Sequence, residues 1–219
     1  MLTFDDIKKD PVVETFVRLG NQYLGEMGYT EHGNRHLGVV TTRIEHIMQT
    51  LEYSPREVEV ARIAAYLHDI GNVVNRVGHS QSSALLVFPI LNRLGMSLEE
   101  IATIVAAVGN HDESSGTSVN SVAAALILAD KSDVHRSRVR NQDAATFDIH
   151  DRVNYAVEKS ALIVDGKERT ITMELKIDIS ICPVMEYFEI FLTRMVLCRR
   201  AAVFLKTQFR LLINDARLL

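Results

Sequence analysis

Cysteine is nearly absent from this chain. It has two in 219 residues, Cys182 and Cys198, with no close pairing between them. That excludes a disulfide framework and a zinc knuckle. An excess of charge of one sign is missing as well: 24 Lys and Arg against 28 Asp and Glu give a formal net charge of −4. Neither a nucleic-acid polymer nor an anionic membrane surface would find an electrostatic partner in it. No apolar run approaches the roughly 18–20 residues that span a bilayer. The opening Met1-Leu2-Thr3-Phe4-Asp5-Asp6 lacks the basic-then-apolar order of a signal peptide. The expectation is a reduced, cytoplasmic protein. A glycine-rich phosphate loop and a nucleophilic Ser or Cys motif are also lacking, as are internal repeats and low-complexity linkers.

What is present is enough apolar sequence (47 %) for a sizeable core, organised first as helices. Ser54-Pro55-Arg56-Glu57 reads as a capping box with proline at the first helical position, opening a helix that ends at His68-Asp69-Ile70, with Gly71 suited to a left-handed closing residue. Ser97-Leu98-Glu99-Glu100 repeats the box ahead of Ile101–Val108, which Gly109 ends. Asn120 can cap a third helix, Val122 to about Asp130, apolar nearly all round and therefore central. After about Asp148 the character changes. A short helix from Ile149 to Lys159 precedes Ala161–Val164, an Asp165-Gly166 turn, and strict alternation with Ile171, Met173, Leu175, Ile177 and Ile179 on one face. A long, largely apolar helix runs from Pro183 to about Lys206, and a last strand from Phe209 to Ile213. The fold class expected is mainly α: a helical bundle over residues 1–145, with a small α+β appendage over 146–219 built of about three antiparallel strands and one long helix. The wide apolar face of that helix exceeds what three strands cover. It should pack on the helical domain or pair two chains as a homodimer.

Chemistry-bearing residues concentrate in the helical part. His68-Asp69 follows an apolar helix face into the interior, where charged groups are rare unless paired. His36 lies upstream; His79, His111 and Asp130 follow. A single histidine at any of these places is more often structural than a ligand. Six such residues on helices that must pack together make a metal centre. Imidazole suits first-row transition metals, and carboxylates supply the balancing charge. Asp69, with two oxygens, can bridge two ions: His36, His68 and Asp130 complete one site, His79 and His111 the other. Two ions about 3.5–4 Å apart can polarise a phosphoryl oxygen and activate water together. His32, one turn before His36, can line the pocket, whereas His46, His135 and His150 read as surface or structural residues.

The set Arg35-His36, His68-Asp69-Ile70-Gly71, His79, His111 and Ala129-Asp130-Lys131 resembles the HD-domain metal-dependent phosphohydrolases, an all-helical superfamily. The likeness covers about residues 33–135. It implies that His36, His68, Asp69 and Asp130 hold a first metal, and that His79 and His111 place the chain beside the members with two. It also implies hydrolysis of a phosphomonoester or phosphodiester, often of a nucleotide, by hydroxide generated at the metal, with one or two divalent ions of manganese, iron, zinc, magnesium, cobalt or nickel as cofactor. The HD-GYP branch is disfavoured, because Asp112 stands where its second histidine would be and no Gly-Tyr-Pro follows. The HD-fold di-iron oxygenases share the six-ligand order but have a lysine soon after the His-Asp pair, where this chain has Asn72-Val73-Val74-Asn75. A non-catalytic nucleotide or metal sensor is the alternative outside enzymes.

The partner expected is a small phosphorylated molecule. Asp69 and Lys131 are the residues expected to act in catalysis, Lys131 by neutralising phosphate charge. Asn72, Asn75 and Arg76 should rim the pocket, with loop capping as the plainer reading. Arg136, Arg138 and Arg140 form either a phosphate clamp or a solvated face paired with Asp143 or Asp148.

Overall fold

A computed structural model describes residues 1–218. Its helices are α1 (Phe4–Lys8), α2 (Pro11–Glu26), α3 (Asn34–Thr50), α4 (Pro55–Leu67), α5 (His79–Arg93), α6 (Leu98–Gly109), α7 (Ser121–Lys131), α8 (Ile149–Ala156) and α9 (Val184–Phe204). Short 3₁₀ turns cover Ile70–Val73, Arg136–Arg138 and Ala144–Thr146. The strands are β1 (Val157–Asp165), β2 (Thr170–Ile177), β3 (Gln208–Ile213) and β4 (Ala216–Arg217). No described helix is long and apolar enough to cross a membrane.

Local signals set the helix starts. Ser54 makes the expected capping box with Glu57, and Asn120 accepts from the Ala123 amide. At α6 only half of the box forms: Ser97 accepts from the Glu100 amide, but the Glu100 carboxylate turns to Arg56, at 2.5 and 2.7 Å. A charge-assisted bidentate pair outcompetes a single bond to a backbone amide. α7 is buried along its whole length, from Val122 to Lys131, and packs against α3, α4, α6 and α9.

Gly71 does not take the left-handed conformation expected of it; it lies inside the 3₁₀ turn. The space around it is what requires glycine. A Cβ there would collide with the His79 carbonyl and the Ser83 amide and sit 2.7 Å from Ser83 Oγ. That close approach brings the end of α4 against the start of α5. The left-handed glycine of this stretch is Gly78 (φ 71°), which turns the chain into α5 at His79.

The C-terminal sheet has four strands in the order β1-β2-β3-β4, one more than expected, and it is mixed. β1 and β2 form the antiparallel hairpin, with Leu162 opposite Met173 and Asp165 opposite Thr170. β3 runs parallel to β2, pairing Ile171 with Phe209 and Leu175 with Ile213. The long α9 is a crossover connection, which returns the chain in the same direction, as two-residue turns cannot. β4 closes back antiparallel on β3. The alternation places Ile171, Met173, Leu175 and Ile177 in the core, while Ile179 lies beyond the strand and is exposed. α8 is shorter than expected because Val157 already enters β1. α9 lies against both α7 and β3, so its buried face (Tyr187, Phe191, Met195, Cys198, Ala202) joins the sheet to the helical bundle.

Candidate metal centre and the cavity beside it

The core helices deliver six side chains to one point. Ala61, Ile63, Ala64, Ala65 and Leu67 of α4 are fully buried, so His68 at its C-terminal cap and Asp69 emerge into the interior. His36 comes from the first turn of α3, His79 opens α5, His111 follows α6, and Asp130 sits in the last turn of α7. All six are buried.

Each imidazole is tied down at Nδ1. His36 meets Asp133 Oδ2 at 2.7 Å, His68 the Ala65 carbonyl at 2.7 Å, His79 the Arg76 carbonyl at 3.0 Å, and His111 the Val108 carbonyl at 2.6 Å. A ring nitrogen facing such an acceptor carries the proton, which leaves Nε2 of the neutral ring with a bare lone pair. Those Nε2 atoms face one another, 3.4 Å apart for His36 and His68 and 3.1 Å for His79 and His111. Two bare lone pairs cannot hydrogen-bond. Two nitrogens each about 2.1 Å from one ion would stand about 3.0–3.4 Å apart in octahedral or tetrahedral geometry, which is the spacing found. Asp69 divides its oxygens between the pairs. Oδ2 lies 3.4 Å from His68 Nε2 and 3.8 Å from His36 Nε2; Oδ1 lies 3.3 Å from His79 Nε2 and 3.8 Å from His111 Nε2. Asp130 Oδ1 approaches His36 at 3.4 Å and His68 at 3.7 Å. His36, His68 and Asp130 form one group of donor atoms, and His68, Asp69 and His111 another. This donor set fits divalent first-row ions.

Electrostatics keeps the donors in ligand form. Burial pushes the His68 pKa down to about 4 and His79 down as well. Burial would raise the pKa of Asp69, but His68 and the other histidines hold it well below the usual range. Lys131 does the same for Asp130. His36 runs the other way: against burial and Arg138, its bonds to Asp130 and Asp133 raise its pKa.

A cavity of about 380 Å³ opens beside the cluster. Asp69, His79, His111 and Asp130 reach it, as do Lys131, Arg76, Arg138 and His32. Lys131 is buried, its Nζ 2.8 Å from Asp130 Oδ2 and 2.7 Å from Glu113 Oε2. Arg76 Nη1 stands 3.8 Å from Asp69 Oδ1. Arg138 lines the cavity while its donors hold the backbone carbonyls of Glu31 and Asp133. The other expected substrate residues fall elsewhere. Asn72 is buried beside Arg76, and Asn75 Oδ1 caps the Val77 amide. Arg136 pairs with Glu158 rather than with Asp143 or Asp148, and Arg140 binds Asn21. A three-arginine clamp does not form, because the 3₁₀ turn at 136–138 points successive side chains in different directions.

Several residues at or behind the cavity carry no sequence signal of their own. Asp133 orients His36 and pairs with Arg35 at 2.7 Å. Asp148, His150, Asp151 and Asn154 of α8 and its cap form one wall, and Phe191 and Arg194 of α9 another. Arg194 stacks over Phe191 at 4.4 Å and binds Glu113 Oε1 at 2.7 Å.

Residues 35–153, more than half of the chain, match the family model described as HD domain. The chain belongs to the HD-domain family. It is 25 % identical to a protein of Methanocaldococcus jannaschii named only as uncharacterized, over 80 % of this chain and 75 % of that one. A crystal structure titled a predicted HD superfamily hydrolase, from an uncultured Thermotogales bacterium, aligns at 23 % identity and a TM-score of 0.45 over 56 % of this chain and 67 % of that one. The HD-domain match begins at Arg35 and ends in α8, short of Phe191 and Arg194.

Proposed function

We propose that this HD-domain protein is a metal-dependent phosphohydrolase acting on a small phosphate ester, a nucleotide-like phosphomonoester in the first instance. The observation that carries the reading is the four imidazoles whose Nδ1 atoms are all engaged, so that four Nε2 lone pairs converge on the shared carboxylate of Asp69. His36, His68 and Asp130 would hold one divalent ion and His79 and His111 a second, with Asp69 between them. Ions bound there supply Lewis acidity toward a phosphoryl oxygen and toward water.

The remaining steps belong to the protein. Lys131, fixed between Asp130 and Glu113, puts a permanent positive charge at the cavity edge. Both carboxylates keep it protonated against its burial. Arg76 adds a guanidinium at the His79 side. Together they favour a dianionic phosphate lying across the cluster and stabilise the charge that builds on its oxygens as the ester bond breaks. No side chain is needed as nucleophile.

The test is elemental analysis of chelator-free protein, followed by turnover of p-nitrophenyl phosphate and bis-p-nitrophenyl phosphate with manganese, cobalt, nickel, zinc or magnesium. One or two ions per chain and metal-dependent release of nitrophenol, both lost in Asp69→Ala, are the expected results. Metal bound without turnover of either ester would overturn the hydrolase reading. Two irons with oxygen-dependent chemistry would replace it with an oxygenase.

A further inference from the structure

The two halves of the centre are unequal in charge. His36 and His68 have Asp69 and a carboxylate of their own, Asp130, whose Oδ1 lies 3.4 and 3.7 Å from their Nε2 atoms. His79 and His111 share only the other oxygen of Asp69, at 3.3 and 3.8 Å. An ion held there by these groups alone would face two neutral imidazoles and half of one carboxylate. That is a poor balance for a divalent charge in a buried place.

Asp112 removes the inequality. It follows His111 directly, in the loop between α6 and α7, and its Oδ2 lies 3.8 Å from His79 Nε2. Asp69 stands at the same 3.8 Å from His36 and from His111. His79 gives its proton to the Arg76 carbonyl through Nδ1, so its Nε2 turns a lone pair toward an anionic oxygen. Two such atoms repel each other unless a positive charge stands between them. The side chain is also fixed, with 17 % of it exposed. Its Oδ1 accepts from the Ser114 amide at 2.9 Å and from the Ser114 hydroxyl, and its backbone carbonyl accepts from the Gly116 amide at 2.7 Å. Asp130 is built the same way: Lys131 Nζ holds its Oδ2 at 2.8 Å, and Oδ1 is the oxygen turned to the imidazoles. One oxygen tied and the other presented is how an outer partner orients a carboxylate ligand. Capping the turn at Ser114 needs Oδ1 alone and leaves the placing of Oδ2 unexplained.

We propose that Asp112 is a seventh metal ligand, the terminal carboxylate of the second ion and the counterpart of Asp130 at the first. Each ion then takes two imidazoles, one oxygen of Asp69 and one oxygen of a carboxylate of its own. With both sites filled, the three carboxylates Asp69, Asp112 and Asp130 face two divalent ions, which leaves one formal positive charge beside the cavity. This assignment rests on the two-ion reading of the centre and is independent of the reaction carried out there.

The experiment titrates cobalt(II) into the metal-free protein, following its visible absorption and its competition with a chromophoric chelator. Wild type should bind in two steps. Asp112→Asn is the deciding variant, because asparagine still caps the Ser114 turn while the charged donor is gone. One step should weaken by roughly tenfold or more and the other by less than about threefold, with a changed absorption for the cobalt of the weakened step. Asp112→Ala should weaken the same step further, and Asp130→Asn should weaken the opposite one. Should the alanine variant fail to fold, as its melting curve would reveal, the asparagine variant still decides. Two undisturbed steps in Asp112→Asn, or equal loss at both, would overturn the assignment, as would a wild type that binds a single ion. The two readings fail separately. Two steps, one of them dependent on Asp112, without turnover of either nitrophenyl ester would refute the hydrolase and keep the ligand, whereas turnover with wild-type binding in Asp112→Asn would do the reverse.

Discussion

Asp133 should control the first metal site without touching the metal. Its Oδ2 accepts from His36 Nδ1 at 2.7 Å and from Arg35 Nη2 at 2.7 Å, and its side chain is 2 % exposed. Replacing it with alanine leaves His36 free to turn or to place its proton on Nε2, where it blocks coordination. Loss of such an outer partner typically weakens metal binding 10–100-fold, which is about 1.4–2.7 kcal/mol. It also leaves a buried N–H unsatisfied, costing about 1–3 kcal/mol of folding free energy. Asp133→Asn keeps an oxygen in reach of His36 Nδ1 and loses only the charge, so its effect on affinity should be near the lower bound. The second group, His79 with His111, hangs on the backbone carbonyls of Arg76 and Val108 and should be untouched. The assay is competition against a chromophoric chelator, with melting curves of the metal-free protein alongside. Loss confined to one of two binding steps, and graded Ala below Asn, is the expected pattern. Unchanged affinity, or equal loss at both steps, would refute the idea that the Nδ1 tether sets the ligand form of His36.

Other perturbations follow from the same geometry. In metal-free protein His68 titrates lower when folded (about 4) than when unfolded (about 6.5), so the unfolded chain binds more protons between those values and stability falls as pH drops through that window, by roughly 3 kcal/mol from this residue. His36, raised on folding, opposes that trend; bound metal should steepen the profile, because it holds the ligating imidazoles unprotonated in the folded state only, and thermal melts from pH 7 to 4 with and without added ion will test this. Gly71→Ala forces a Cβ into the His79 carbonyl and the Ser83 amide; a loss of about 1–3 kcal/mol should come with weakened binding at the His79 side, read by melting and by the same chelator competition. Leu126→Ala, in the fully buried α7, should cost about 2–5 kcal/mol and lower Tm by roughly 5–15 °C. Ser54→Ala removes a cap remote from the site and should cost about 1 kcal/mol with metal affinity unchanged; altered affinity would mean that α4 stability and site geometry are coupled.

The convergence of four candidate ligands was legible in the sequence because His68, Asp69, His111 and Asp130 sit at the ends of helices that announce themselves, whereas the helices that carry His36 and His79 gave no such signal. The capping boxes and apolar periods place His68, His111 and Asp130 at termini, and helices with buried faces must bring those termini together. The same reasoning misses whatever depends on which helices meet. Nothing local to Asp133 marks it as the partner of His36, 97 residues away, and nothing in α9 marks Arg194 as the partner of Glu113, 81 residues away. The arginine run at 136–140 is the converse case. It looked like one feature in the sequence, but the 3₁₀ turn sends its three side chains to Glu158, Glu31 and Asn21. The parallel pairing of β2 with β3 was hidden for a similar reason: alternation fixes which face of a strand is buried, while direction is fixed by the crossover helix between them.

The position of α9 also bears on why the appendage is retained beside a centre complete without it. All six candidate ligands lie between His36 and Asp130, so the C-terminal part contributes nothing to holding a metal. It contributes enclosure. Phe191 and Arg194 reach the cavity from α9, and Glu113 binds Arg194 with one oxygen and Lys131 with the other. Glu113 therefore joins the docking of α9 to the charge beside Asp130, and the two pull its pKa down against its burial. Any displacement of α9 would take Arg194 away from Glu113, leaving that carboxylate to Lys131, and open one wall of the cavity to water. Exclusion of water strengthens every charge interaction inside. The appendage and the centre thus meet through Glu113 as well as through the packing of α9 on α7, which makes the fit of α9 a determinant of the chemistry and not only of stability.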